Sequence, residues 1–315
     1  MSRLLVLCWH NVDPTDAFHG PSAEAGRAGL HRQLRWVQRW LTAVPLRPAL
    51  DALAAGRKLP PRAVALTFDD GYRDNATVAA PMLAAMGLPA TFFLVPGFLS
   101  GEVDAWWERL AWLFAHATVD QVDWAGGRHV LTTPGQRRAA ATTIAEQVKG
   151  VDRNERAALI DELRGQLTPD GPPAGRVFMN WEEARGLARH GVDAQSHTCT
   201  HPILSRENTL SQSDELIRSR RELEQSLGHT VDVLAYPNGS RRDYDQETLR
   251  LTAEAGYAFA LTTRPAWGTP HDPRLEIPRL VLDPAIEDLR LLKRTVQAAL
   301  APIPSIRGTR GSLPS

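Results

Sequence analysis

Short apolar runs alternate with longer amphipathic segments along most of this 315-residue chain. Strands that are apolar on both faces are typical of parallel sheets covered by helices, and their alternation with helical segments indicates repeated βα units. The seven predicted strands are Arg3–Trp9, Ala63–Phe68, Ala90–Val95, Val192–Ser196, Val233–Tyr236, Tyr257–Thr262 and Glu276–Leu282. The predicted helices are His31–Ala43, Asp74–Met86, Trp181–His190, Leu210–Leu227 and Asp243–Ala255, three of them followed by a capping glycine (Gly87, Gly228 and Gly256).

Roughly a hundred residues separate the third predicted strand from the fourth, which is more than one connection needs. We predict an insert over about residues 97–175, with helices Trp106–Ala115 and Arg153–Leu167 and a hairpin at Gly126–Gly127, placed as a cap beside the sheet. Its tryptophans can stack on sugar rings, although core packing is their commoner role (Trp106, Trp107, Trp112 and Trp124). A single domain is expected over residues 1–301, followed by a flexible tail over residues 302–315.

Charge and cysteine content exclude several classes of protein. Lys plus Arg and Asp plus Glu both total 36, so the formal net charge is zero, and the composition does not indicate a basic surface for binding nucleic acid. The two cysteines, Cys8 and Cys199, form no disulfide framework and suit a reducing compartment. The apolar run Met1–Cys8 is too short for a signal peptide, and no stretch reaches the roughly 18 apolar residues of a membrane span. We therefore expect a cytoplasmic protein, with peripheral membrane association and oligomeric state left open.

The first candidate site follows the second predicted strand, where residues 67–72 read TFDDGY. The strand delivers two adjacent carboxylates, Asp69 and Asp70, to the strand end at which barrel enzymes build their active sites. Two such neighbours repel each other unless a positive group compensates them, and a divalent metal ion would do so. Capping of the next helix needs only one aspartate, so the pair favours chemistry.

A second candidate site follows Val192–Ser196, where His197 and His201 stand four residues apart. Within one helical turn, positions i and i+4 share a face, so both imidazoles can reach one ion. Two imidazoles and one carboxylate leave the open position that a catalytic Zn²⁺ requires, and Co²⁺ or Ni²⁺ would accept the same ligands. Cys199 lies between the histidines, and its side chain is expected to point away.

These motifs resemble those of the polysaccharide deacetylases of carbohydrate esterase family 4, the NodB-homology group. TFDDG at 67–71 and SHTCTH at 196–201 match the first and second motifs of the family. LAYPNG at 234–239, VLCWH at 6–10 and LPATFF at 88–93 are similar to the branch associated with bacterial exopolysaccharides. The resemblance implies a distorted (β/α)7 barrel of parallel strands, in agreement with the seven strands above, with the mainly helical insert near the barrel mouth.

The resemblance also implies a role for each motif residue. Asp69 would be the general base, and Asp70, His197 and His201 would hold the metal ion. The backbone N–H of Tyr72 would stabilise the oxyanion.

The general acid is the point at which the chain departs from the family. Members of the peptidoglycan and chitin type carry a Leu-x-His motif on the last strand, whereas Ile277–Leu282 contains no histidine. His10, at the end of the first strand, is the candidate acid, although a structural role fits it equally well. Arg279 would bind substrate or hold the base in place, because a guanidinium cannot act as an acid. Tyr236 and Asn238 are expected to line the sugar pocket.

Together these assignments predict a metal-dependent hydrolase of exopolysaccharide biosynthesis. It would remove acetyl groups from N-acetylated amino sugars of a polysaccharide or of its lipid- or nucleotide-linked precursor. A carbohydrate O-acetyl esterase with the same site is one alternative, and a degenerate, non-catalytic sugar-binding protein is another. A glycosidase is disfavoured, because adjacent aspartates cannot flank a glycosidic bond at the required separation of about 5–9.5 Å.

Overall fold

The computed structural model describes residues 2–18, 22–171 and 175–283, so the predicted tail and residues 284–301 lie outside the described residues. The strands are β1 (Leu5–Trp9), β2 (Thr42–Ala43), β3 (Ala63–Phe68), β4 (Ala90–Leu94), β5 (Gln121–Trp124), β6 (Gly127–Val130), β7 (Val192–Ser196), β8 (Val233–Ala235), β9 (Phe259–Leu261) and β10 (Leu280–Val281). The α-helices are α1 (Ala23–Trp40), α2 (Leu46–Ala54), α3 (Ala80–Ala85), α4 (Pro96–Ser100), α5 (Trp106–Ala115), α6 (Pro134–Val148), α7 (Arg153–Leu167), α8 (Trp181–Gly186), α9 (Thr209–Leu227) and α10 (Gln246–Glu254).

The main sheet is parallel throughout and follows the order β10-β1-β3-β4-β7-β8-β9, with β2 paired to the first residues of β3. The two ends of this path approach each other through the last described segment. Ile277 pairs with Leu261 of β9, and three residues later the same segment becomes β10, which pairs with β1. The seven strands of the path therefore curl into a distorted barrel, and the predicted (β/α)7 class is confirmed.

Burial on both faces explains why the strand sequences are apolar throughout. Every residue of β1, β3 and β4 is buried. Along β1, Leu5 and Leu7 pack with the helices outside the barrel, whereas Val6 packs in the interior cluster together with Leu50 and Leu53 of α2. Each such side chain contributes about 1.5–3 kcal/mol of hydrophobic burial. Because α2 closes one end of the interior, the strand ends that carry the motifs remain at the other.

Helix boundaries differ from prediction where capping or proline chemistry outweighs apolar periodicity. The first helix begins at Ala23 rather than His31, because the Ser22 side chain accepts a hydrogen bond from the Ala25 N–H. The helix predicted over 74–86 begins as a π-helical turn at Asn75–Ala79 and continues as α3. Pro81 lacks an N–H, so the regular i→i−4 ladder cannot run through this helix.

The insert is confirmed as a mainly helical unit. Both predicted helices and the hairpin formed by β5 and β6 are present. Helix α6 was not predicted, because its alanines and threonines show weak periodicity, although Thr133 and Gln136 form a capping box ahead of it. The insert has its own apolar cluster, separate from those of the barrel, which includes Leu110, Trp112, Leu113, Phe114, Ile144, Ile160 and Leu163. Within the described ranges, no helix is long and apolar enough to cross a membrane.

Candidate active site

A sharp turn after β3 sends its two carboxylates in different directions. The N–H of Asp69 continues the pairing with β1 by donating to the Trp9 carbonyl at 2.9 Å. Asp70 and Gly71 then both adopt positive φ, 72° and 74°, which a non-glycine residue rarely does. At Gly71 a side chain would also meet Leu94 at 3.2 Å, which explains the glycine of this motif. Strain of this kind persists only where the surroundings hold it, and it clusters at functional sites.

Asp69 forms a bidentate ion pair with Arg279. The guanidinium Nη1 and Nη2 each donate to one carboxylate oxygen at 2.7 Å, and both side chains are buried. Burial alone would raise the pKa of Asp69, but the charge and hydrogen bonds of Arg279 outweigh it and hold the pKa below its ordinary value. Arg279 has no exposed surface and does not line the cavity described below. Of its two predicted roles, the geometry supports holding Asp69 and gives no support to substrate binding.

Asp70 faces His197 and His201. Its Oδ1 lies 3.3 Å from the Nε2 of each histidine, and all three side chains are buried. Metal bonds of about 2.0–2.2 Å in tetrahedral geometry separate neighbouring ligand atoms by about 3.4 Å, so this spacing suits one small divalent ion. Within the described chain, Oδ1 makes no hydrogen bond of acceptable geometry. A buried carboxylate oxygen aimed at two imidazole nitrogens therefore fits a metal ion.

The protonation of the histidines agrees with a ligand role. His197 Nδ1 lies 2.7 Å from the Ala235 carbonyl, so it carries the proton and leaves the Nε2 lone pair directed at Asp70. Burial lowers the pKa of His201, which favours its neutral, ligating form. Burial would also lower the pKa of His197, but the negative charge of Asp69 and Asp70 outweighs it and raises that pKa, and the same charge would stabilise a bound cation. Burial would raise the pKa of Asp70, but the two histidines outweigh it and hold the pKa well below the usual range. The cluster thus offers an ionised carboxylate and imidazole nitrogens.

The two histidines are not carried by a helical turn, as the i, i+4 spacing suggested. Residues 197–201 form an irregular loop in which Thr198 and His201 have positive φ, 66° and 58°. Glu215 of α9, which is buried, holds this loop by accepting the N–H groups of Cys199 and Thr200 at 2.9 and 2.8 Å. Sequence reasoning missed Glu215, since no motif marks it. Cys199 is buried outside the three-ligand group, and burial raises the pKa of its thiol to about 12.

His10 lies beside Asp69, the predicted base. A ring nitrogen of His10, the Cys8 sulfur and an Asp69 oxygen all lie within 4.8 Å of one another. This trio is a poor metal site, because Arg279 already occupies Asp69 and burial keeps the Cys8 thiol protonated by raising its pKa. The His10 ring stacks on Phe18 with centroids 6.0 Å apart and reaches the cavity wall.

A cavity of about 620 Å³ opens over this cluster. Its walls include all four motif residues together with His10, Tyr236 and Asn238 (the motif residues are Asp69, Asp70, His197 and His201). Tyr236 is buried, with its ring stacked on Tyr244 at 4.7 Å and its hydroxyl beside Thr252, so it forms wall rather than a polar contact. Asn238 is exposed on a turn at φ 56°.

The insert contacts the motif loop through residues that sequence reasoning did not assign to it. Tyr72 donates its hydroxyl proton to Glu108 at 2.8 Å and accepts the Trp107 indole N–H at 2.9 Å. The Trp107 ring also lies 4.5 Å from the His201 ring. The backbone N–H of Tyr72 makes no hydrogen bond to any described part of the chain.

The four tryptophans singled out in the insert divide between cavity and core. Trp106 and Trp107 line the cavity, and Trp106 also packs against the core of the insert. Trp112 belongs to the core of the insert, and Trp124 packs against that core. Half of this set is therefore placed to meet a substrate.

Comparison with known proteins agrees with these features. A family model described as polysaccharide deacetylase matches residues 56–260. The Bacillus subtilis (strain 168) protein YxkH, whose own assignment as a polysaccharide deacetylase is provisional, is 21% identical over 266 residues, covering 84% of this chain and 66% of YxkH. The poly-β-1,6-N-acetyl-D-glucosamine N-deacetylase of Escherichia coli (strain K12) is 30% identical over 101 residues, covering 32% of this chain and 15% of the enzyme. The chain thus spans just under two thirds of YxkH and a small part of the E. coli enzyme.

A solved structure shows the same fold at low identity. The Streptococcus pyogenes deacetylase PplD, determined in complex with acetate, has a TM-score of 0.61 and 18% identity, with 92% of this chain and 97% of PplD covered. The resemblance inferred from the two motifs is confirmed by the family match, which extends over both of them. Because one continuous match contains the aspartate pair and the histidine pair, the chain belongs to the polysaccharide deacetylase family.

Proposed function

We propose that this chain is a metal-dependent hydrolase that removes acetyl groups from N-acetylated amino sugars of a polysaccharide or of its lipid- or nucleotide-linked precursor. The observation that carries the proposal is the position of the base beside the ligand cluster. Asp69 Oδ2 lies 3.9 Å from His197 Nε2, so one face of the cavity presents a carboxylate next to three converging ligand atoms. The E. coli relative, named for an N-acetylglucosamine polymer, supports the choice of sugar class.

Asp70, His197 and His201 would hold the metal ion, for which Zn²⁺ is the first choice and Co²⁺ or Ni²⁺ the alternatives. When bound, a divalent ion polarises the acetamide carbonyl and lowers the pKa of water. Asp69 would take the proton of the attacking water, with its orientation held by Arg279.

Two further residues complete the proposed reaction. The N–H of Tyr72, which has no hydrogen-bond partner among the described residues, is available to stabilise the oxyanion that forms as the acetamide is attacked. His10 would protonate the departing amine, which is a poor leaving group unless it gains a proton. Its ring lies on the cavity wall near Asp69.

Acetate release tests this proposal. The substrates are N-acetylglucosamine oligomers and O-acetylated sugars, and the proteins are the Zn²⁺-loaded chain, the chelated chain and Asp69→Asn. Asp123→Asn is the matched control, because Asp123 is an exposed hairpin residue paired only with Arg128 in the described structure. We expect release from the N-acetyl substrates that requires both metal and Asp69 and that the control retains. Release from O-acetyl substrates alone would establish the esterase instead, and bound metal without any release would favour a binding protein.

A further inference from the structure

The cavity over Asp70, His197 and His201 extends beyond the space next to these three residues. It continues into the insert between α5 and α6, where it forms a groove. The groove is lined from α5 by residues that include Trp106, Leu110 and Phe114, and from α6 by residues that include Arg137, Ala141 and Ala145.

Contacts between the two helices define the direction of the groove. Arg137, near the start of α6, donates to the carbonyl of Ala115 at the end of α5. At the opposite end, the Arg156 guanidinium lies over Trp106 and donates to the carbonyl of Val148. The helices are therefore antiparallel, and the groove leads from the Trp107–His201 contact toward Ala115. Eight residues of α5 at 1.5 Å each give it a length of about 12 Å.

The floor of the groove is apolar. Leu110 and Phe114 are buried beneath it, and Ala111, Ala141 and Ala145 provide small, partly buried walls. The polar residues of α6 lie along its outer rim, where Arg138, Thr142 and Glu146 are exposed. The hydroxyl groups of a saccharide that face this floor would lack hydrogen-bond partners, which costs free energy, whereas a hydrocarbon chain gains from burial.

We propose that the substrate is amphiphilic and consists of an acetamido sugar with a linked aliphatic chain. The sugar would lie beside Asp70, His197 and His201, and the chain would lie along the groove between α5 and α6. This inference rests on the proposed function and narrows its substrate class to a lipid-linked sugar. The groove is continuous with the reaction site, so one molecule spans both. Its occupant is the chain of the substrate itself rather than a separate partner.

Alkyl glycosides of N-acetylglucosamine with methyl, butyl and octyl chains, used below their micellar concentrations, test the inference. Ala141→Trp fills the groove, and Ala145→Leu is a smaller change at the same wall. Ala139→Trp is the matched control, because Ala139 is an exposed residue of the same helix and does not line the cavity. Folding of each variant is checked by its thermal transition.

Each fully buried methylene is worth about fourfold in affinity. We expect kcat/KM for acetate release to rise by about thirtyfold from the methyl to the octyl glycoside in the wild type and in Ala139→Trp, which corresponds to two or three buried methylenes. The rise should shrink to within about threefold in Ala141→Trp and be intermediate in Ala145→Leu.

Equal kcat/KM for methyl and octyl glycosides in an active wild type would overturn the inference and leave the deacetylase proposal intact. The inference would also be overturned if kcat/KM were higher for the N-acetylglucosamine tetramer than for the methyl glycoside and Ala141→Trp abolished this difference, because the groove would then bind sugars. Calorimetric binding of the same glycosides to Asp69→Asn separates the two proposals. If the octyl glycoside binds more tightly than the methyl glycoside and Ala141→Trp removes this difference, the groove binds the aliphatic chain even if no variant releases acetate. Equal affinities for the two glycosides would overturn the inference.

Discussion

The buried pair between Asp69 and Arg279 permits a quantitative prediction for Arg279→Met. The substitution keeps much of the side-chain volume but removes two charge-assisted hydrogen bonds of 2.7 Å. Such bonds contribute about 1.5–3 kcal/mol each, and breaking a buried ion pair by removing one partner costs about 3–5 kcal/mol. Because Asp69 is only 2% exposed, water cannot replace the guanidinium. We expect the free energy of unfolding to fall by about 3–5 kcal/mol.

The same substitution should damage activity more than metal binding. The Asp69 carboxylate loses the contact that orients it, and misplacement of a catalytic group by about 1 Å can cost about a hundredfold in rate. The three proposed metal ligands keep their own contacts, so metal content should be unchanged. Urea unfolding followed by tryptophan fluorescence, acetate release and metal analysis measure the three quantities on one preparation.

Two comparisons make the prediction for the buried pair specific. In Arg279→Met with Asp69→Asn, the carboxylate that needs a partner is gone, so the two losses of stability should be clearly less than additive. Arg250→Met is the matched control, because Arg250 pairs with Glu247 and Glu254 on the exposed face of α10 and should show no comparable loss. A loss below about 1 kcal/mol in Arg279→Met, with kcat within about threefold of wild type, would refute the positioning role.

Three further predictions follow from other contacts. His201→Ala should abolish stoichiometric Zn²⁺ binding, measured after dialysis, whereas Cys199→Ala should retain it; retention by His201→Ala would contradict the ligand set. Burial raises the pKa of Asp74 to about 6, above its unfolded value, so its contribution to stability is present below about pH 4 and is lost as pH rises through about 6. The free energy of unfolding of Asp74→Asn, measured in urea relative to that of the wild type, should therefore rise by up to about 3 kcal/mol between pH 4 and pH 7. If the difference between the two proteins does not change with pH, the pKa of Asp74 is not raised. Trp107→Phe keeps an aromatic ring, although a smaller one, but removes the indole N–H that donates to Tyr72, so kcat/KM for acetate release should fall by roughly fivefold. An unchanged value would mean that this bond does not position the loop.

The elements that could be predicted from sequence are those whose signal is local. Strands such as Ala63–Phe68 are buried on both faces, so an unbroken apolar run marks each of them. The aspartate pair follows such a strand directly, and the histidine pair follows the more polar strand Val192–Ser196. This predicts their common position because parallel strands bring their carboxyl ends to one side of a barrel. Helix α6 was missed because its alanines and threonines carry little periodicity, even though its capping box is visible in the sequence.

The supports of the site were decided only by the tertiary structure. Arg279 meets Asp69 across 210 residues, and the sequence alone left it between two roles. Glu215 holds the histidine loop from a helix whose sequence resembles any solvated helix. The sequence was compatible with Trp107 in a core or stacked on a sugar ring, yet its indole N–H donates to Tyr72 and its ring packs against His201, a proposed metal ligand. The physical reason is that burial determines which positions along a strand or helix are apolar, so it can be predicted from the local sequence. A hydrogen bond between distant segments depends on how the barrel closes and where the insert docks, and no local sequence pattern indicates either.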